Sequence, residues 1–421
     1  MHRSTFGLAL IFGCSLLLGG CFPAEPASGT QQTVPQSTAG PAAATAPDTD
    51  SGTAIGQVEP STGETRQAET LVDGMTLREK VGQLFFVRPD ALDPAQSQTQ
   101  INDADSVGVT TLTDAMRGML AQYPVGGVVL FGKNLTAPEQ LAAFTVELHG
   151  AGKTPLLIAV DEEGGTVARL ANHDGFGDLP DYPGAAEVAQ NGADAVYEMS
   201  ATIGGYLTQY GIDLDFAPVA DVNTNPDNPV IGERAFSADA QQTAEMVTAA
   251  VEGFQDAGVL CCLKHYPGHG DTAEDSHKAL AVTPKSWQEL LACELVPFQA
   301  GMEAGADLVM AGHIAAPEVT GNDLPASLSP QLLQTLRQEL GFDGVIVTDS
   351  LAMEGITNRY TPAQAAVQAV QAGADILLMP DGLADAFDAV VAAVEEGTIP
   401  ESRIDESATR ILALKLKSGL I

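Results

Sequence analysis

"VLCCLKHYPGHGDTAEDSH", residues 259–277, joins two kinds of sequence with no spacer between them. Its first five residues are a continuous apolar run, the pattern of a strand buried on both faces. The run ends directly in Lys264 and His265, and a loop follows with two more histidines, two aspartates and a stiffening proline. Charged groups placed at the end of a buried strand, rather than along it, are what a parallel α/β sheet presents at one rim. Whether the sheet is open or closed depends on how many such strand ends the chain contains.

Seven further runs share this character: "LFFVRP" (84–89), "GGVVLF" (126–131), "PLLIAVD" (155–161), "LDFAPVAD" (214–221), "DLVMAGH" (307–313), "GVIVTD" (344–349) and "DILLMP" (375–380). Helical stretches such as "TAEMVTAAVEGFQDAG" (243–258) separate most of them. Buried runs alternating with amphipathic helices predict parallel βα units, and eight of them predict an α/β fold of the (β/α)8 TIM-barrel type. A doubly wound open sheet is the competing architecture. Asp161, Asp221, Lys264, His265, His313 and Asp349 stand at the C-terminal ends of five different runs. A barrel gathers its site from many strand ends, whereas an open sheet concentrates it at one switch point.

The N-terminus reads differently. His2 and Arg3 precede "FGLALIFGCSLLLGGC", an apolar core of about 15 residues, the length of a signal peptide rather than a membrane span. Its last four residues end on Cys21 and have the form of a lipobox, so residues 1–21 are expected to be a lipoprotein signal with Cys21 the lipidated residue. Residues 22–70, rich in Ala, Pro, Thr, Ser, Gly and Gln, are expected to be a disordered linker, because they contain too little apolar surface to offset ordering. Residues 71–421 are then expected to form the barrel. The formal charge of −36 lies mainly on that part, favours solubility and disfavours nucleic acid and anionic lipid as partners. Among the cysteines, Cys14 leaves with the signal, while Cys261, Cys262 and Cys293 sit in apolar or helical stretches without metal-binding spacing and read as buried thiols.

Three chemistries compete for the loop. His265, His269, Asp271, Asp275 and His277 are all metal-ligand types, but their spacing is irregular for a metal centre. Lys264 at a strand end is also a Schiff-base candidate, with no apolar pocket signature to support it. Neither a phosphate loop nor a dinucleotide fingerprint occurs, so no nucleotide cofactor is expected. Acid/base and nucleophilic work on a polyol fits best. Asp349 closes a strand with no cation beside it in sequence, as a nucleophile would, and His277 is polarised by Asp275 two residues earlier. Asp161, Arg169, Arg234, Lys264 and His265 supply donors and acceptors for ring hydroxyls.

At these residues the sequence resembles the single-domain bacterial β-N-acetylglucosaminidases of glycoside hydrolase family 3. The matching stretches are "MTLREKVGQLF" (75–85), "VGGVVLF" (125–131), "DEEGGTVARL" (161–170), "DFAPVADVNTNPDNPVIGERAFS" (215–237), "KHYPGHGDTAEDSH" (264–277) and "VIVTDSLAM" (345–353). The resemblance implies a retaining, two-step hydrolysis without metal or other cofactor. In it Asp349 is the nucleophile, His277 with Asp275 is the acid/base on a mobile loop, and Asp161, Arg169, Arg234, Lys264 and His265 grip the sugar. Retaining glycosidases usually pair two carboxylates about 5–5.5 Å apart; with a histidine in place of one, that distance rule does not apply. The chain also departs from the family's frequent "DQEGG" and "GDRSF" with "DEEGG" and "GERAF", changes expected to bear on preference around the sugar.

The expected substrates are N-acetylglucosamine-containing oligosaccharides or muropeptides, met in the cell envelope by an enzyme tied to the membrane through its lipid alone. A phosphorylase or β-glucosidase of the same fold is the alternative within the enzyme class. A sugar-binding protein without catalysis is the alternative outside it, and such a protein is expected to have lost Asp349 or His277, both of which are present. Two features stay open at this level. The segment between Arg88 and Tyr123 either rims the site or is a surface insertion, and His313 near the mouth has no assigned part, whereas Met353 reads as packing.

Overall fold

Each of the eight apolar runs forms a strand in the computed structural model, which describes residues 62–273 and 280–421. In chain order these are β1 (Phe85–Val87), β2 (Gly127–Val129), β3 (Leu157–Val160), β4 (Leu214–Asp215), β5 (Leu260–Tyr266), β6 (Leu308–Ala311), β7 (Val345–Thr348) and β8 (Leu377–Leu378). All pair in parallel with their chain neighbours, β1 also pairs with β8, and a bridge between Val347 and Ile376 closes the ring. A long helix follows each strand, from Asp114–Gln122 after β1 to Leu383–Glu395 after β8. The fold is the expected (β/α)8 barrel, and its strands are buried along their whole length because helices cover the outer face.

β4 is shorter than its apolar run, since Pro218 has no N–H to donate to a ladder. The chain nonetheless stays beside β5 through single bonds, Cys262 N–H to the Ala217 carbonyl at 2.8 Å and Ala220 N–H to the Lys264 carbonyl at 2.7 Å. Asp221 is thereby carried to the rim. The paired thiols of Cys261 and Cys262 are fully buried, as expected, and Cys293 is half-buried.

The expected linker of 22–70 is corrected at its end, because residues 62–70 belong to a helix, Thr62–Asp73. Small residues suffice there: Ala68 and Val72, one turn apart, pack against Ala408 and Leu412 of the terminal helix Glu401–Lys417. That terminal helix closes the end of the barrel opposite the strand C-termini. Its Arg403 and Arg410 reach buried Asp375 just before β8, Lys415 reaches Gln83 near β1, and Lys417 reaches Asp307 before β6. Residues 1–61, with Cys21, and residues 274–279, with Asp275 and His277, lie outside the described residues.

Candidate active site

The strand C-termini carry a network of five charged groups. Lys264, in β5, donates to Asp161 Oδ1 at 2.9 Å and lies 2.6 Å from Glu163 Oε1. Arg234 grips Glu163 in the two-pronged manner, Nε to Oε2 and Nη2 to Oε1, both at 2.8 Å. Arg169 approaches Asp161 Oδ2 at 3.5 Å and stacks its guanidinium on Phe131, 5.3 Å from the ring centre. The side chains differ in exposure. Asp161 and Arg169 are 19% and 31% exposed, whereas Lys264 and Glu163, at 2% and 5%, are buried beside them.

Local structure explains this placement. After β3 the chain turns back in a two-stranded hairpin, Glu162–Gly164 with Val167–Ala168, whose turn uses Gly164 and Gly165 at φ of +88° and +59°. A side chain at Gly165 would stand 2.8 Å from the Gly184 backbone. The hairpin sets Asp161 and Glu163 on one side and brings Arg169 back over Asp161. Glu162 points the other way. It is fully buried and accepts from Leu170 N–H and Ala171 N–H at 2.9 Å and from the Tyr206 hydroxyl at 2.8 Å. The departure from "DQEGG" therefore falls on a residue that holds the hairpin shut, away from the sugar side. Of the two departures in "GERAF", Glu233 is exposed and Ala235 is buried, while Arg234 between them turns inward.

Charge states follow from burial and from these partners. Burial pushes the Asp161 carboxyl up, but Lys264, Arg169 and Arg234 together outweigh it and hold it well below the usual range. Burial acts on Glu163 likewise, and Lys264 and Arg234 bring its carboxyl down to about 2. For Lys264, burial favours the neutral amine, yet Asp161 and Glu163 raise it above its ordinary value, so it stays an ammonium donor. A cationic Lys264 is a poor Schiff-base nucleophile, which removes that reading.

His265 follows Lys264 on the rim, and its Nδ1 lies 2.8 Å from Asp221 Oδ2. The other oxygen of Asp221 accepts the backbone N–H of His265 at 3.2 Å and of His269 at 2.6 Å. His269 is buried, its Nδ1 lies 2.6 Å from the Thr272 hydroxyl, and burial lowers its basicity. Asn228 donates to the carbonyls of His269 and Thr272 at 2.8 and 3.0 Å, so the loop is anchored as far as Thr272. Asp349 stands at the end of β7, partly exposed, with its N–H on the Ala311 carbonyl at 2.9 Å.

Asp161, Arg169, Arg234 and Lys264 are thus brought into one network, His265 adjoins it, and Asp349 stands two strands away on the same rim. Sequence reasoning missed Glu163, Phe131 and the anchoring part of Asp221. Glu163 carried a usable signal, since residues two apart in extended chain share a side with each other, here with Asp161. Phe131 carried none, because an aromatic at a strand end reads as core.

The model of the glycosyl hydrolase family 3 N terminal domain matches residues 76–414. Beta-hexosaminidase A of Pseudoalteromonas piscicida is 33% identical over 335 residues, which cover 73% of this chain and 56% of that protein. Beta-hexosaminidase LpqI of Mycobacterium tuberculosis is 36% identical over 318 residues, 73% of this chain and 80% of its own length. Among solved structures, a family 3 β-N-acetylglucosaminidase from Paenibacillus sp. str. FPU-7 superposes with a TM-score of 0.74 at 41% identity, covering 82% of this chain and 63% of that one. The chain therefore spans a little over half the length of the first of these relatives and most of the second. With the matched region running from the helix before β1 to the terminal helix, the chain belongs to glycosyl hydrolase family 3.

Proposed function

We propose that this glycoside hydrolase is an exo-acting, retaining β-N-acetylglucosaminidase that removes terminal β-linked N-acetylglucosamine from peptidoglycan or chitin-type fragments. The observation that carries the reading is the network of Asp161, Lys264, Glu163 and Arg234 on the rim that also bears Asp349. It offers fixed carboxylate acceptors and cationic donors to neighbouring hydroxyls of one sugar ring. The related hexosaminidases and β-N-acetylglucosaminidase support an N-acetyl sugar.

In the first step a carboxylate oxygen of Asp349 bonds to the anomeric carbon as the glycosidic C–O bond breaks. The departing oxygen takes the electron pair of that bond and a proton from the His277 imidazolium. In the second, water attacks the same carbon, gives its proton to the now neutral His277, and Asp349 leaves as carboxylate. Asp275 orients the imidazole and stabilises its charged form. One water is consumed and no metal takes part in these steps.

Cys21 carries the lipid, and residues 22–61 tether the barrel at an extracytoplasmic membrane face. Among the described residues no helix is long and apolar enough to cross a membrane. Mass spectrometry of membrane-derived protein with an unmodified Cys21 would overturn the anchor.

The activity is tested with a panel of nitrophenyl glycosides, with and without phosphate and with chelator. Release of N-acetylglucosamine, unchanged by either addition and appearing first as the β-anomer, is expected. A phosphate-dependent sugar phosphate would replace hydrolysis by phosphorolysis. A 5-fluoro N-acetylglucosaminyl fluoride should trap the peptide bearing Asp349, and a trap on another residue would move the nucleophile.

A further inference from the structure

His313 lies just past the end of β6, and β6 pairs with β7 along its whole length, Thr348 opposite Ala311. Its imidazole is fully buried. Nε2 lies 2.7 Å from the carbonyl oxygen of Ser350, and Nδ1 lies 2.8 Å from the Ser327 hydroxyl. A carbonyl oxygen only accepts, so Nε2 carries the hydrogen, and in the neutral ring Nδ1 accepts from Ser327. Ser327 is itself tied to the same segment, its N–H on the Gly312 carbonyl at 3.2 Å.

Ser350 is the residue after Asp349, and its backbone serves both side chains. Its N–H donates to Asp349 Oδ1 at 2.7 Å, while its carbonyl is the one that His313 holds. The chain on either side is fixed as well, Asp349 N–H on the Ala311 carbonyl at 2.9 Å and Leu351 N–H on the Leu378 carbonyl at 2.8 Å. Hydrogen bonds thus link Ser327 to His313 and His313 to Ser350, the residue whose N–H reaches the Asp349 carboxylate.

We propose that His313 is a positioning residue for Asp349: by clamping the Ser350 carbonyl it fixes the amide that engages Oδ1 and so aims Oδ2 at the anomeric carbon. The inference rests on the reading of Asp349 as nucleophile. Both steps of the reaction make or break the bond between Asp349 and the sugar, so loss of the clamp slows both. The sugar-gripping groups lie just past β3 and its hairpin, in β5 and in the loop bearing Arg234, apart from these bonds, so affinity for the sugar is left as it was. Misplacement of a reacting group by about 1 Å costs about 100-fold in rate.

The test uses the full chain with His313→Phe, His313→Gln and Ser327→Ala. It measures kcat and KM on nitrophenyl N-acetylglucosaminide, the inhibition constant of N-acetylglucosamine, the rate of trapping by the 5-fluoro reagent, and Tm. His313→Phe is expected to lower kcat and trapping rate by about 10- to 100-fold while KM and the inhibition constant stay within about twofold. His313→Gln, whose amide N–H can reach the same carbonyl, should recover most of the rate. Ser327→Ala, the milder change, should show a smaller loss with the same split and serves if His313→Phe does not fold. Native trapping rates in these variants, a rate loss matched by weakened sugar binding, or a glutamine variant no better than phenylalanine at equal Tm would each overturn the proposal. Failure of the native enzyme to form an adduct on Asp349 would strike at the nucleophile itself, whereas equal trapping in all variants would strike at His313 alone.

Discussion

Asp349 and His277 are expected to fail differently when removed. On the proposed function, Asp349→Ala should take away the covalent path for every substrate, whatever leaves. His277→Gly should spare the first step only for leaving groups that need no proton, such as dinitrophenolate, and on disaccharides should lose about 10²–10⁴-fold. Glycosyl-enzyme should then accumulate, and azide should speed turnover. Equal losses on both substrate types without azide rescue would make His277 a binding residue. Glu163 works one layer behind, and Glu163→Gln should raise KM by about tenfold while lowering Tm, because Lys264 and Arg234 lose a buried partner whose removal typically costs about 3–5 kcal/mol. Its pH signature has a definite sign. A carboxyl held at about 2 in the fold and near 4.5 when unfolded contributes stability fully above pH 4.5 and loses it as pH falls towards 2. The native protein should therefore lose Tm more steeply than Glu163→Gln across that window, and parallel Tm curves would show that the pair contributes nothing.

Among the elements, the segment after β1 changes from an ambiguous insertion into part of the rim. Buried Asp90 accepts from Asn134 Nδ2 at 2.9 Å and Val109 N–H at 3.1 Å, and Lys133 reaches the carbonyls of Gln100, Ile101 and Asp103 at 2.8–3.1 Å. So fastened, the short helix Gln98–Asn102 presents Asn102, which accepts from Arg88 at 3.0 Å and donates to Asp381, beyond β8, at 2.7 Å. Arg88 stacks on Phe131, 4.7 Å from the ring that also carries Arg169. On the proposed function Arg88 belongs to the leaving-group side. Arg88→Ala should raise KM for chitin-type disaccharides several-fold while leaving nitrophenyl substrates within about twofold. Equal effects on both would show that it acts on the sugar-gripping network through Phe131.

At the scale of the molecule, the candidate site and a buried charge cluster occupy opposite ends of one barrel. Fully buried Asp375 receives Arg403 at 3.3 Å, Arg410 at 3.2 Å, Arg337, the Ser407 hydroxyl at 2.6 Å and Ile346 N–H at 3.0 Å. Burial raises its carboxyl, and the three guanidiniums more than reverse this. Asp375→Ala would leave those cations without their common partner and is expected to cost about 3–5 kcal/mol, read as a large fall in the denaturation midpoint. KM for sugar in the surviving folded protein should not change, because the cluster lies at the strand N-termini. A selective loss of sugar affinity instead would mean that the two ends of the barrel are coupled.

The sequence by itself determined the barrel, because eight apolar runs at helical separations admit few closed arrangements and their polar ends mark the active rim. It also nominated a candidate site, Asp161, Lys264, His265 and Asp349 at strand ends with Arg169, Arg234, Asp275 and His277 in the loops beside them, because charge at the end of a buried strand is out of place unless chemistry needs it. Tertiary structure alone decided which charges meet. Glu162 and Glu163 are adjacent and alike in sequence, yet the hairpin sends one to backbone amides and the other to Arg234, a choice made by alternation along extended chain and by what each side faces. Residues 62–70 look like linker by composition, and only the apolar seam on a helix more than 300 residues later makes them a helix. Likewise His313 acquires its part from Ser350, 37 residues away in the chain, across a strand pairing that no local pattern records.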